Sequence, residues 1–136
     1  MRIVVDTNCI IQSIGFRSNY RVVWDAFLAG KYTMCVSNEI LDEYYEILQR
    51  LFRPAFAETV INAIVESPYV EFVNPYFNFN MIAADPDDNK FVDCAICANA
   101  KYLVTNDRHY DILKEIPFPK VDIISLQEFA ETIHKL

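Results

Sequence analysis

The sequence predicts an α/β domain with a mainly parallel sheet, and three observations predict it. Segments of strand and helix character alternate from one end of the chain to the other, as they do in successive βα units. Apolar residues make up 53% of the chain and glycine occurs only twice, at Gly15 and Gly30, which excludes a disordered or low-complexity protein. A length of 136 residues suits one core, a single domain over residues 1–136 burying about two-thirds of the surface its unfolded form exposes.

Residues 2–6, with Ile3, Val4 and Val5, read as the first strand and lead into a short turn. Over residues 20–29 the pattern predicts a helix with Val23, Phe27 and Leu28 turned inward, and Gly30 stops it. Residues 32–36 form a second short apolar strand. Ser37 stands where it can cap a helix carrying Ile40, Leu41, Tyr44, Leu48 and Leu51 on one face, and Pro54 marks its end. A further helix covers about residues 55–66. Residues 69–73 resemble a third strand, whose partner order is not readable. Residues 74–87 are irregular, broken by Pro75 and Pro86. A helix over about 88–100 offers Phe91, Val92, Ala95, Ile96 and Ala98 for packing and leads to a strand at 101–104. A short helix near 110–115, a strand at 121–124 and a helix from Leu126 complete the chain.

No run of eighteen apolar residues occurs, and Asp6 interrupts the amino-terminal apolar stretch, so the expectation is a cytoplasmic protein without a membrane partner. Cys9, Cys35, Cys94 and Cys97 are too few and too irregular for a disulfide scaffold and read as small buried thiols. Cys94 and Cys97 have C-x-x-C spacing, but they fall inside a helix with no second pair nearby, which counts against redox or zinc chemistry. A net charge of −7 argues against nucleic acid unless the carboxylates gather around bound cations.

The carboxylates do fall in a pattern. Ligands of an open parallel sheet bind beyond the carboxyl ends of its strands, where Asp6 closes the first strand and Asp107 stands just past the strand at 101–104. A crossover helix begins at the same edge, which brings Asp85-Pro86-Asp87-Asp88-Asn89 there. Asp88 is favoured in that group, because Asp93 lies roughly 7.5 Å further along the helix on a different face, as an outer member of the site. Helix capping by Asp6, Thr7 or Asn8, and a polar turn at Thr105-Asn106-Asp107, are the plain alternatives. Carboxylates crowded together repel one another and gain protons, a conflict that a divalent cation removes, and hard oxygen ligands suit Mg²⁺ or Mn²⁺. An EF-hand fails at 85–96, where Lys90 stands for the required glycine and Ile96 for the glutamate. A phosphoryl-aspartate enzyme needs D-x-D where this chain has Asp6-Thr7-Asn8, and two glycines cannot supply a phosphate-cradling loop.

Val4-Val5-Asp6-Thr7-Asn8, Ser37-Asn38-Glu39-Ile40-Leu41-Asp42-Glu43, Asp85-Pro86-Asp87-Asp88-Asn89-Lys90-Phe91 and Leu103-Val104-Thr105-Asn106-Asp107 together resemble the PIN domain. More narrowly, they resemble the PIN-family toxin components of prokaryotic toxin–antitoxin systems. The likeness runs from residue 3 to about 125; each motif alone is weak, and four in order are strong. It implies a three-layer α/β/α fold on a central sheet of about four to five strands, and a Mg²⁺- or Mn²⁺-dependent endoribonuclease. Residue by residue it implies an acidic, metal-holding site of Asp6, Glu43, Asp88 and Asp107. Thr105 supports that site, and Thr7 and Asn8 form the turn that holds Asp6. Glu43 rests on the resemblance, since Glu39 lies nearer the sheet edge. Asp93 before Cys94-Ala95-Ile96 imitates a second family pattern, so it stays beside Asp88, with Asp88 first.

Under that reading, water activated on a bound cation hydrolyses an RNA phosphodiester, with one cation or a pair about 4 Å apart. Lys90 and Arg108 lead the candidates for holding substrate, with Arg17, Arg21, Arg50 and Arg53 behind them. His109 reads as an exposed loop residue within reach of substrate. Tyr76, Phe77 and Phe79 suit burial or a partner interface better than base stacking. Tyr44, Tyr45, Phe52 and Phe56 suit either a core or an interface. The resemblance also implies a cognate antitoxin and a homodimer. The rival readings are a non-catalytic RNA-binding or protein-interaction module of the same fold, and a metal-dependent DNA nuclease or phosphatase.

Overall fold

The computed structural model describes residues 1–83 and 85–136. Five strands form one sheet: β1 (Arg2–Val5), β2 (Thr33–Val36), β3 (Val70–Phe72), β4 (Tyr102–Val104) and β5 (Ile123–Ile124). They are all parallel, in the spatial order β3-β2-β1-β4-β5. Ile3, Val4, Val5, Met34, Cys35 and Val36 have no exposed surface, as expected of parallel strands covered on both faces in a three-layer α/β/α fold.

Among the described residues six α-helices surround the sheet: α1 (Thr7–Ser13), α2 (Arg21–Leu28), α3 (Asn38–Leu51), α4 (Pro54–Val65), α5 (Asn89–Ala98) and α6 (Leu126–His134). α2 packs with α1 and α6. α5 packs on β1, β2 and β4 and touches α3, which packs along α4. Ser37 caps α3 by accepting a hydrogen bond from the Ile40 amide. Pro54 occupies the first turn of α4, where its missing N–H leaves nothing unsatisfied. Among the described residues no helix is long and apolar enough to cross a membrane.

Several expectations are corrected. Residues 7–13 form a helix, not a turn, and Cys9 and Ile10 pack inward from it. Leu28 is 47% exposed, because one residue past the buried Phe27 it is rotated about 100° off the inward face. Leu51 is exposed in the last turn of α3, where the backbone becomes extended at Phe52. α5 is preceded by a 3-10 turn at Pro86–Asp88, and the expected helix near 110–115 is a 3-10 segment, Arg108–Glu115. Tyr76 and Phe77 lie in an irregular segment and are largely exposed, so the sheet does not bury them. Cys97 is exposed, and Cys94 is buried and unpaired, with its thiol pushed up to about 12 by burial.

Strand order decides which residues meet at the carboxyl edge of the sheet. β1 leads to β2 on one side, whereas β4 lies on the other, so the chain reverses direction across the sheet between β1 and β4. A crevice opens at the carboxyl ends of strands at such a switch point. Val5 pairs with Val104 there, so the next residues, Asp6 and Thr105, leave the sheet side by side.

Candidate metal centre

Asp6 continues the line of β1 by one residue: its amide donates to the Val104 carbonyl at 2.9 Å, and its own carbonyl accepts from Cys9 and Ile10 to open α1. It therefore holds the N-cap position, yet its side chain makes no capping bond. The carboxylate instead accepts a hydrogen bond from the Thr105 hydroxyl at 2.9 Å, inside the fold. Burial pushes the Asp6 carboxyl up to about 6; the charges of Asp88 and Glu43 add to this, and the Thr105 bond opposes it.

From β4 the chain passes through Thr105, which is buried and whose hydroxyl oxygen also accepts from the Asp107 amide at 3.0 Å. Asn106 accepts from the Leu126 amide and ties this turn to α6. Asp107 is half-buried and caps the 3-10 segment through the His109 amide at 2.9 Å, so the turn reading and the acidic reading meet in one residue. Asp6, Asn8 and Asp107 line a shallow cleft of about 310 Å³ with Ile11, Gln12 and Asn106.

Asp88 stands at the start of α5 and is 9% exposed. Among the described residues its Oδ2 is buried without a hydrogen-bond partner, with His109 Nδ1 at 3.4 Å, beyond the usual length of a charge-assisted bond. Burial raises the Asp88 carboxyl; Asp85 and Asp107 add to the shift, while Tyr110 and His109 oppose it. Single ligand atoms of Asp85, Asp88 and His109 lie within 4.8 Å of one another.

Glu43 reaches the cluster from α3. It accepts from the Thr7 hydroxyl, and its other oxygen pairs with Lys90 Nζ at 2.7 Å. Lys90 also donates to the Asp87 carbonyl at 2.8 Å, so this ammonium is already engaged by the protein. Arg108 is exposed. Asp93 faces elsewhere: it is buried, accepts from the Phe79 amide at 3.1 Å, and shares a groove of about 430 Å³ with Glu39. The structure thus brings Asp6, Glu43, Asp88 and Asp107 to one neighbourhood and places Asp93 and Glu39 in another. Asp85 and His109 join the first group. The sequence brings Asp85 to this edge without singling it out from its neighbours and reads His109 as an exposed loop residue; their only signal is closeness in sequence to Asp88 and Asp107.

A family model described as a PIN domain matches residues 2–109. The chain belongs to the PIN domain family. PIN domains are nucleases that use divalent metals. Among solved structures, this PIN domain is similar to VapBC2 from Rickettsia felis bound to a DNA fragment from their promoter. The TM-score is 0.63 at 17% identity, over 92% of this chain and 98% of that one, a likeness of fold. No curated protein matches it significantly.

The residues of this PIN domain fit a divalent cation. The donors are hard carboxylate oxygens, one of them is buried with nothing bonded to it, and burial together with mutual crowding holds Asp6 and Asp88 above the ordinary carboxylate range.

Proposed function

We propose that this PIN domain, acting as one unit over residues 1–136, is a Mg²⁺- or Mn²⁺-dependent endoribonuclease and the toxin component of a cytoplasmic toxin–antitoxin pair. The observation that carries the reading is the convergence of Asp6, Glu43, Asp88 and Asp107 at the β1–β4 switch point, with Asp88 Oδ2 buried and unbonded. Asp6, Glu43, Asp88 and Asp107 would hold a divalent cation there, which would supply activation of water and neutralisation of charge on a phosphodiester.

The chain's own groups hold and orient that site. Thr105 keeps Asp6 facing the crevice, and its hydroxyl oxygen also anchors the Asp107 backbone. Thr7 and Lys90 hold the two oxygens of Glu43, so its carboxylate is oriented before any ligand arrives. The Lys90 ammonium also balances part of the acidic charge that a polyanion meets. Of the two leading candidates, Arg108, exposed next to Asp107, is the one left for a phosphate contact, ahead of Arg17 and Arg53.

The toxin reading rests on the resemblance of the four motifs, which implies an antitoxin for this chain, and the likeness of fold to VapBC2 agrees with it. An apolar patch supports a protein partner, either an antitoxin or a second copy: Leu51, Phe52 and Phe56 are exposed where α3 meets α4, with the two rings 5.0 Å apart.

The test is cleavage of labelled single-stranded RNA, structured RNA and DNA in Mg²⁺, Mn²⁺ or EDTA. RNA is expected to be cut only with metal, and Asp6→Asn is expected to lose at least about 100-fold in rate. RNA cleavage that survives both EDTA and Asp6→Asn overturns the metal-nuclease reading; cleavage of DNA alone overturns the ribonuclease reading. Expression in a bacterial host should arrest growth with the native chain and not with Asp6→Asn.

A further inference from the structure

We propose that Asp85, Asp88 and His109 form a cation position of their own, with a nitrogen ligand, beside the position held by Asp6 and Glu43, and that Asp88 is shared between the two. The inference rests on reading the acidic crevice as a metal centre and adds to it a second position and its selectivity.

Three observations carry it. Asp88 is nine-tenths buried, and among the described residues its Oδ2 has no hydrogen-bond partner, a costly arrangement unless something else binds that oxygen. His109 Nδ1 lies 3.4 Å from this oxygen, and an Asp85 carboxylate oxygen completes a set whose members are all within 4.8 Å. Two ligand atoms on one cation at bonds of about 2.1 Å are separated by about 3.0 Å at an octahedral edge and about 3.4 Å at a tetrahedral one. The observed separation is about 0.4 Å longer than the octahedral edge of Mg²⁺ or Mn²⁺, so a small approach of His109 would close it, and it is too long for a charge-assisted hydrogen bond.

The remaining carboxylates explain why the position is separate. Glu43, fixed by Thr7 and Lys90, and Asp6, fixed by Thr105, belong to the other position, and none of these contacts involves Asp85 or His109. Asp107 Oδ1 also lies 3.4 Å from His109 Nδ1 and caps the His109 amide. Asp85 and the imidazole are the groups whose ligand atoms lie within 4.8 Å of one another and of Asp88, and Asp85 Oδ1 also accepts from the Asp87 amide. Two cations sharing a carboxylate fit the separation of about 4 Å found in two-metal nucleases. A nitrogen donor favours Mn²⁺ and later divalent ions over Mg²⁺, which an all-oxygen site does not.

The experiment is Mn²⁺ titration of the full chain, with bound metal read by pulsed electron paramagnetic resonance for nitrogen coupling. The chain has two histidines, and the other, His134, lies near the end of α6. Native protein and His134→Gln are expected to show coupling to an imidazole nitrogen. His109→Gln should lose it and bind Mn²⁺ about tenfold more weakly, Asp85→Asn should weaken binding in the same way, and Asp6→Asn should keep the coupling. His109 is exposed, so His109→Gln is expected to melt like the native chain, and a melting curve verifies this. Bound Mn²⁺ without nitrogen coupling, or coupling unchanged in His109→Gln, overturns the proposal. Coupling lost in Asp6→Asn overturns the separate position. RNA cleavage in Mg²⁺ is scored independently: cleavage without nitrogen coupling removes only this inference, and coupling without cleavage removes only the ribonuclease reading.

Discussion

Asp6 shows how a single carboxylate can oppose the fold it serves. Its carboxyl is lifted to about 6 from an ordinary 3.8 by burial, with the charges of Asp88 and Glu43 adding to the effect. In metal-free protein between about pH 4 and pH 6, the folded state therefore keeps a proton that the unfolded chain has released. Stability accordingly falls as pH rises through that window and stays lower above it, by roughly 3 kcal/mol at most for this group. Asp88 and Asp93 are raised by burial too and act with the same sign. Asp6→Asn is neutral at every pH, so it is expected to reduce the slope and to raise the melting temperature at pH 7.5 by several degrees while abolishing cleavage. Thermal melts in EDTA from pH 4 to pH 8 measure this; an unchanged slope would assign the destabilisation to other groups. That Asp6 ends a strand was legible in the apolar run before it. Its departure from the capping role was not, because the decisive hydrogen bond comes from Thr105, 99 residues away.

The helices were legible in proportion to their length. α3 spans fourteen residues and carries both a cap and an inward stripe, so Ser37, Ile40, Tyr44 and Leu48 could be read directly. α1 has seven residues, under two turns, too few for an apolar period to stand out, and it is held by packing on α2 and α3 instead. Gly30 ends α2 in a way that can be tested. Its φ is +77°, and a Cβ there would sit 2.5 Å from the Tyr69 ring at the entry to β3. Gly30→Ala is expected to destabilise by about 2 kcal/mol, measured by urea unfolding. Tyr69 is partly exposed and can swing aside, but the positive φ cannot be relieved, so adding Tyr69→Ala should recover less than half of the loss. Recovery of most of it would mean that the ring contact, not backbone conformation, governs this turn.

Across the whole molecule, the acidic crevice predicts that metal binding and folding are coupled. A cation that binds only the folded chain stabilises it by about 2.7 kcal/mol at a free concentration 100 times its dissociation constant. Mn²⁺ is therefore expected to raise the melting temperature, EDTA to reverse the gain, and Asp88→Asn to remove most of it; a melt indifferent to Mn²⁺ would speak against a cation site in the crevice. By itself, the sequence determined the alternation of strands and helices, the apolar runs of β1 and β4, and the acids that come after them, since these depend on propensity and spacing within a few residues. Only the tertiary structure decided that β4 lies beside β1, that Glu43 rather than Glu39 and Asp88 rather than Asp93 approach Asp6, and that Asp85 and His109 meet at the free Asp88 oxygen. Those outcomes depend on crossovers tens of residues long and on how α3 and α5 rotate as they pack, and local sequence does not encode either.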